Sequence, residues 1–190
     1  MTSCLQEVID DPRTQTRDYE IGNVPHLILP LIASLLEDLG LRELLDTSES
    51  SKVGVALQEA LTNALYHGNL EVSSDLRQVD EAEFYALAER RRGQEPYRDR
   101  RIRLHARLDG RECTFVITDQ GPGFDTSRLD RPIVSEDTER VGGRGLLMIR
   151  AYMDEVWLNQ AGNQITMIKR PRHGWRDSAV PRNGLHFDRS

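Results

Sequence analysis

Two stretches of period-two alternation constrain the fold most. In "RIRLHARLDGRECTFVITDQG", apolar and polar residues alternate, Asp109 and Gly110 supply turn chemistry, and the more apolar run "CTFVIT" follows. That pattern predicts a β-hairpin. "EVWLNQAGNQITMIKR" predicts a second hairpin, turning at Ala161 to Asn163. A doubly wound parallel sheet needs strands that alternate regularly with crossover helices, and two tight hairpins argue against it. "RDYEIG" reads as one further strand.

The remaining periodic segments are helical. From Pro25 to Leu39, "PHLILPLIASLLEDL" repeats apolar residues at helix spacing, with Gly40 at the place of a C-terminal cap. "TSESS" then offers N-cap residues, and Val53, Ala56, Leu57, Ala60, Leu61, Ala64 and Leu65 make the stripe of a second helix, which Gly68 is expected to end. "GGRGLLMIRAYMDEV" opens with glycines and continues as a helix. Residues 71–100 are densely charged, with one short helix in "DEAEFYALAERRR", and read as an insertion outside the core. This order fits an α+β fold: a two-layer α/β sandwich whose mixed, mostly antiparallel sheet carries its helices on one face. One domain is expected over residues 17–170, between a loose N-terminal extension (1–16) and a polar C-terminal tail (171–190).

A formal net charge of −6 argues against a nucleic-acid partner. The one arginine-dense stretch, Arg90 to Arg103, is interrupted by Glu95 and Asp99. A mixed-charge surface of that kind suits docking of a protein, or simple solvation, better than tracking of phosphates. "HLILPLIASLL" is too short and proline-broken to span a bilayer, and "MTSCLQEVIDD" lacks the features of a secretory signal. Cys4 and Cys113 form neither a metal cluster nor a disulfide framework. A cytoplasmic protein without membrane partners is expected.

Three constellations carry chemistry. In "LQEALTNALYHGN", Glu59, Asn63 and His67 stand four residues apart, so a helix projects them from one face of an otherwise apolar segment. His67, near the helix end, is read as structural. "DQGPGFD" places Asp119 at a strand end before Gly121 and Gly123, a fixed acceptor suited to an exocyclic amine such as that of adenine. "GGRGLLMIRA", from Gly142, opens a helix whose free N–H groups suit a phosphate, although the Walker lysine and hydroxyl are missing. Alone, each has a plainer reading, as a polar helix face, a turn, or a packing glycine cluster.

Their order is more specific. A polar helix face, an Asp-Gly-Gly strand end and a glycine-opened helix resemble the GHKL (Bergerat-fold) ATPases from about Tyr19 to Arg170. "EALTNALYHGN", "DQGPGFD" and "GGRGLLMIRAYMDEV" look most like the anti-sigma-factor kinase branch. The resemblance implies ATP and Mg²⁺ as cofactors. It implies Asn63 as the Mg²⁺ ligand and Glu59 as the base. Asp119 would be the adenine acceptor, Gly121 and Gly123 would shape the pocket, and Gly142, Gly143, Arg144, Gly145 and Leu146 would lie over the phosphates. It further implies a serine/threonine protein kinase acting on a small STAS-type anti-sigma antagonist. The alternative is a non-catalytic nucleotide-binding module that sequesters a sigma factor or another regulator. The resemblance also admits a homodimer. One departure is Asn163 after Gly162, where the family often has Gly-Thr; adenine contact there is expected to be weaker or water-mediated. The charged segment 71–100 is the other.

Overall fold

The computed structural model describes residues 14–38, 45–109, 111–124, 126 and 143–171. Strand β1 (Gln15–Ile21) leads through a short 3-10 turn (Pro25–Leu27) into α1 (Ile28–Asp38). Helix α2 (Thr47–Asn63) continues without a break into a π-helical segment, Ala64–Asn69. Two helices follow, α3 (Ser74–Val79) and α4 (Glu81–Arg92). Then come β2 (Ile102–Leu108), β3 (Cys113–Thr118), α5 (Gly143–Tyr152), β4 (Glu155–Leu158) and β5 (Gln164–Lys169). Gly40, the expected cap of α1, lies outside the described residues.

The five strands form one sheet in the order β1-β2-β3-β5-β4, and all of its pairings are antiparallel. Both expected hairpins are present. Alternation along β2 and β3 buries Ile102, Leu104, Ala106, Cys113, Phe115 and Ile117 on the face that meets the helices. Helix α2 packs between α1 and α5 and supplies the other half of the core through its apolar stripe. Burying a side chain such as Leu57 or Phe115 stabilises the fold by about 1.5–3 kcal/mol. The result is the two-layer α/β sandwich expected. Among the described residues no helix is long and apolar enough to cross a membrane.

Three local expectations change. The N-cap of α2 is Asp46, whose carboxylate accepts from Glu49 N–H at 2.7 Å, and the serines of "TSESS" lie inside the helix. Gly68 does not end the helix: Leu70 N–H reaches back to Leu65 O at 3.0 Å, the five-residue step of a π turn. The charged segment is not purely solvated, because α4 inserts Phe84 and Ala88 into the core. The Phe84 ring packs on Tyr66 at 5.2 Å, an aromatic contact that the charged flanks of the helix conceal in the sequence.

Register positions the site. Thr118 pairs with Arg103 on one side and with Gln164 on the other. The chain therefore leaves β3, at Asp119, between the residues that enter β2 and those that enter β5.

Candidate nucleotide site

A cavity of about 560 Å³ opens beside this strand end, within the range of small-molecule sites. Asn63 lines it from α2, Asp119 and Gly123 from the loop after β3, and Leu146 from α5. Ala60, Ala64, Ile117, Leu158 and Ile165 give it an apolar wall fit for a planar base. Of the remaining expected residues, Gly143 starts α5, Arg144 is exposed, and Gly142 lies outside the described residues.

Asp119 is nine-tenths buried. Its Oδ1 accepts from Gly121 N–H at 2.8 Å, and its own N–H donates to Asn163 O at 3.0 Å. Burial pushes the carboxyl up to about 6, against the opposing pull of the Gly121 N–H and the Arg100 charge. A carboxylate held in this way can accept from a ligand amine with little reorganisation. Close backbone packing fixes it there: a Cβ on Gly68 would lie 2.6 Å from each Asp119 carboxylate oxygen, and one on Gly121 would lie 2.6 Å from the Gly68 carbonyl carbon. Gly123 takes a left-handed φ of 74°, which brings Phe124 N–H to Ala161 O at 3.1 Å and joins this loop to the β4–β5 turn.

Glu59 and Asn63 project from the same side of α2, and both are half-buried. Neither side chain makes a hydrogen bond or ion pair with the described residues. Glu59 is not among the residues lining the cavity. Its carboxylate instead faces the start of α5, where a Cβ on Gly145 would come within 2.7 Å of Oε2 and within 3.5 Å of the Asn63 side chain. The glycine of "GGRG" thus lets the start of α5 approach the polar face of α2. His67 lines the cavity and also donates from Nδ1 to Val72 O at 2.6 Å, the structural role expected of it.

Asn163 lines the cavity, yet its carboxamide is already engaged. Its oxygen accepts from Asn159 Nδ2 at 2.8 Å and its nitrogen donates to Asp119 O at 3.5 Å. The residue ties the β4–β5 turn to the strand end.

Sequence reasoning missed Asn69. It is fully buried, accepts from Gln120 N–H at 2.7 Å, and donates to Asn23 Oδ1 at 2.8 Å. Asn23 in turn donates to Tyr97 O at 2.7 Å. The signal for it was a Gly-Asn pair directly after the polar helix face, a place where backbone approaches backbone.

The donor set suits a metal that arrives with phosphates. Among the described residues no group of three or more His, Cys, Asp or Glu is placed to hold a cation on its own. Asn63 offers one carboxamide without a partner among the described residues, and Mg²⁺ characteristically takes few protein ligands and completes its shell with water and phosphate oxygens. No curated protein matches the sequence. The family model described as the histidine kinase-like ATPase domain matches residues 28–169, a span that contains the polar face of α2, the Asp119 loop and α5. The chain belongs to that family and is an ATP-binding module of the GHKL type.

Proposed function

We propose that the protein is an ATP-dependent serine/threonine kinase of the anti-sigma-factor type, whose substrate is a small STAS-like regulatory protein. The observation that carries this reading is the placement of Glu59. It is a half-buried carboxylate without a partner among the described residues, one helical turn from the cavity-lining Asn63 and facing the glycine-opened start of α5. The helix dipole by itself favours a carboxylate at that place; its lack of a partner among the described residues and the neighbouring Asn63 support its use as a general base for a protein hydroxyl.

Asp119 would accept from the adenine amine, the apolar wall would hold the ring, and Asn63 would hold Mg²⁺. Bound Mg²⁺ supplies charge neutralisation at the phosphates, the main requirement of phosphoryl transfer besides alignment. Glu59 would take the proton of the attacking hydroxyl as its oxygen bonds to the γ-phosphorus, while the bond from that phosphorus to the bridging oxygen breaks and ADP leaves.

One observation favours a second reading. Glu59 stands beside the cavity and not on its wall, which suits a module that binds ATP or ADP to set its shape and sequesters a sigma factor or other regulator. Incubation with γ-labelled ATP, Mg²⁺ and candidate STAS-type proteins separates the two. Label on a partner serine or threonine is expected. ATP binding and partner capture without transferred label would favour the sequestering module.

A further inference from the structure

The charged segment between α2 and β2 turns its most enclosed arginines inward. Arg90, Arg92 and Arg98 pair on the surface with Glu83, Glu89 and Glu95. Arg100, by contrast, is mostly buried, and a single nitrogen, Nη1, donates to Asn69 O at 2.8 Å and to a Glu71 carboxylate oxygen at 2.7 Å. Arg91 donates to Leu70 O at 2.8 Å and also to Glu71 O. The two guanidinium groups lie 5.1 and 5.0 Å from the Tyr97 ring centroid.

What they hold is unusual. Glu71 has φ 52°, the one left-handed non-glycine among the described residues. Such a conformation is strained for a residue that carries a side chain and persists only where the surroundings enforce it. Here the enforcement comes from Arg91 on the carbonyl and Arg100 on the side chain. Glu71 lines the cavity itself, and the residues immediately before it include Gly68, packed on Asp119, and Asn69, bonded to Gln120 N–H.

We infer that Arg100 is a positioning residue for the nucleotide site, bracing the Gly68–Glu71 turn against Asp119 so that the charged segment sets the shape of the base-binding end. The inference rests on Asp119 being the base acceptor. It gives the segment a role that neither solvation nor partner docking accounts for. The Arg100 charge also favours the ionised form of Asp119, while His67 and Glu71 are the other titratable groups on the same cavity wall.

The test compares Arg100→Met and Arg100→Lys in the full chain, with two readouts. One is ADP affinity by calorimetry; the other is the NMR titration of the Asp119 carboxyl carbon without nucleotide. Arg100→Met is expected to lose at least tenfold in ADP affinity and to move the Asp119 midpoint upward from about 6. Arg100→Lys, which keeps a charged donor, is expected to recover most of both. A folded Met variant with wild-type affinity, or one that loses affinity with the midpoint unmoved, overturns the inference. Should Arg100→Met fail to fold, Glu71→Ala is read in its place: weakened ADP binding is expected, and unchanged binding overturns it. If the wild type binds no ADP, the nucleotide reading of the site fails, and the ligand-free titration still reports separately on the brace.

Discussion

Gly68 and Asp119 are packed so closely that a methyl group on Gly68 would come within 2.6 Å of both carboxylate oxygens. The carboxylate cannot yield easily, because Oδ1 is held by Gly121 N–H and the same residue's N–H by Asn163 O. Gly68→Ala is therefore expected to displace the Asp119 side chain or open the π segment. Overpacking of this kind costs about 1–3 kcal/mol. ADP affinity, measured by calorimetry, is expected to fall more than tenfold while circular dichroism still reports a folded chain. Wild-type affinity would mean that Asp119 does not contact the ligand.

Asp119 makes binding and stability depend on pH in a defined direction. Burial raises its midpoint from an ordinary 3.8 to about 6, so the folded protein holds this proton more tightly than the unfolded chain does. The group's contribution to stability is fully present below 3.8 and is lost as pH rises through about 6. Nucleotide binding runs the other way, since an amine donor prefers the carboxylate. ADP should lower the Asp119 midpoint, and ADP affinity should weaken as pH falls below about 6. Asp119→Asn should remove that dependence. Asp119→Ala should cost about 1.5–3 kcal/mol of binding, roughly ten- to a hundredfold.

Phe84 tests whether the charged segment belongs to the fold. It is 1% exposed, at the centre of contacts with Tyr66 and Tyr85. Phe84→Ala is expected to destabilise the protein by about 3–5 kcal/mol, as truncations of buried aromatics do. Urea unfolding should show the loss as a lower midpoint. A change under about 0.5 kcal/mol would place α4 outside the cooperative unit.

How much of this was legible depends on how local each cause is. The hairpins are written in period two and in turn residues, so β2 through β5 and the strand-end position of Asp119 follow from short windows. The stripe of α2 likewise follows from its spacing. The cap is less local: Asp46 and the residues of "TSESS" are all competent, and packing of the helix selects among them. The π segment has no comparable sequence signature. It arises where the chain must bring Gly68 onto Asp119 and Asn69 onto Gln120, partners about fifty residues away. The same holds for Arg91 and Arg100. Their sequence shows charge, but only tertiary structure shows that their acceptors are the backbone carbonyls of a strained turn. Long-range satisfaction of buried polar groups was the part that composition and periodicity could not supply.

Glu59 and Asn63 share one helix face, and their substitutions are expected to fail differently. Asn63 lines the cavity, and its proposed task is to hold Mg²⁺ with the nucleotide. Asn63→Ala should therefore weaken Mg²⁺-dependent ATP binding, and phosphotransfer should fall with it. Glu59 lies one turn earlier, off the cavity wall and against the start of α5, and its proposed task is that of base for an incoming hydroxyl. A positioned general base typically contributes about a hundred- to ten-thousandfold to rate, without a matching share of ground-state affinity. Glu59→Gln keeps the size of the side chain beside Gly145 and should retain ATP and partner binding while losing phosphotransfer to that extent. Calorimetry and single-turnover transfer, run on both variants, read the two effects separately. Loss of ATP affinity in Glu59→Gln equal to that in Asn63→Ala would make the pair one binding unit. Wild-type transfer in Glu59→Gln would remove it as the base and leave its carboxylate to the contact between α2 and α5.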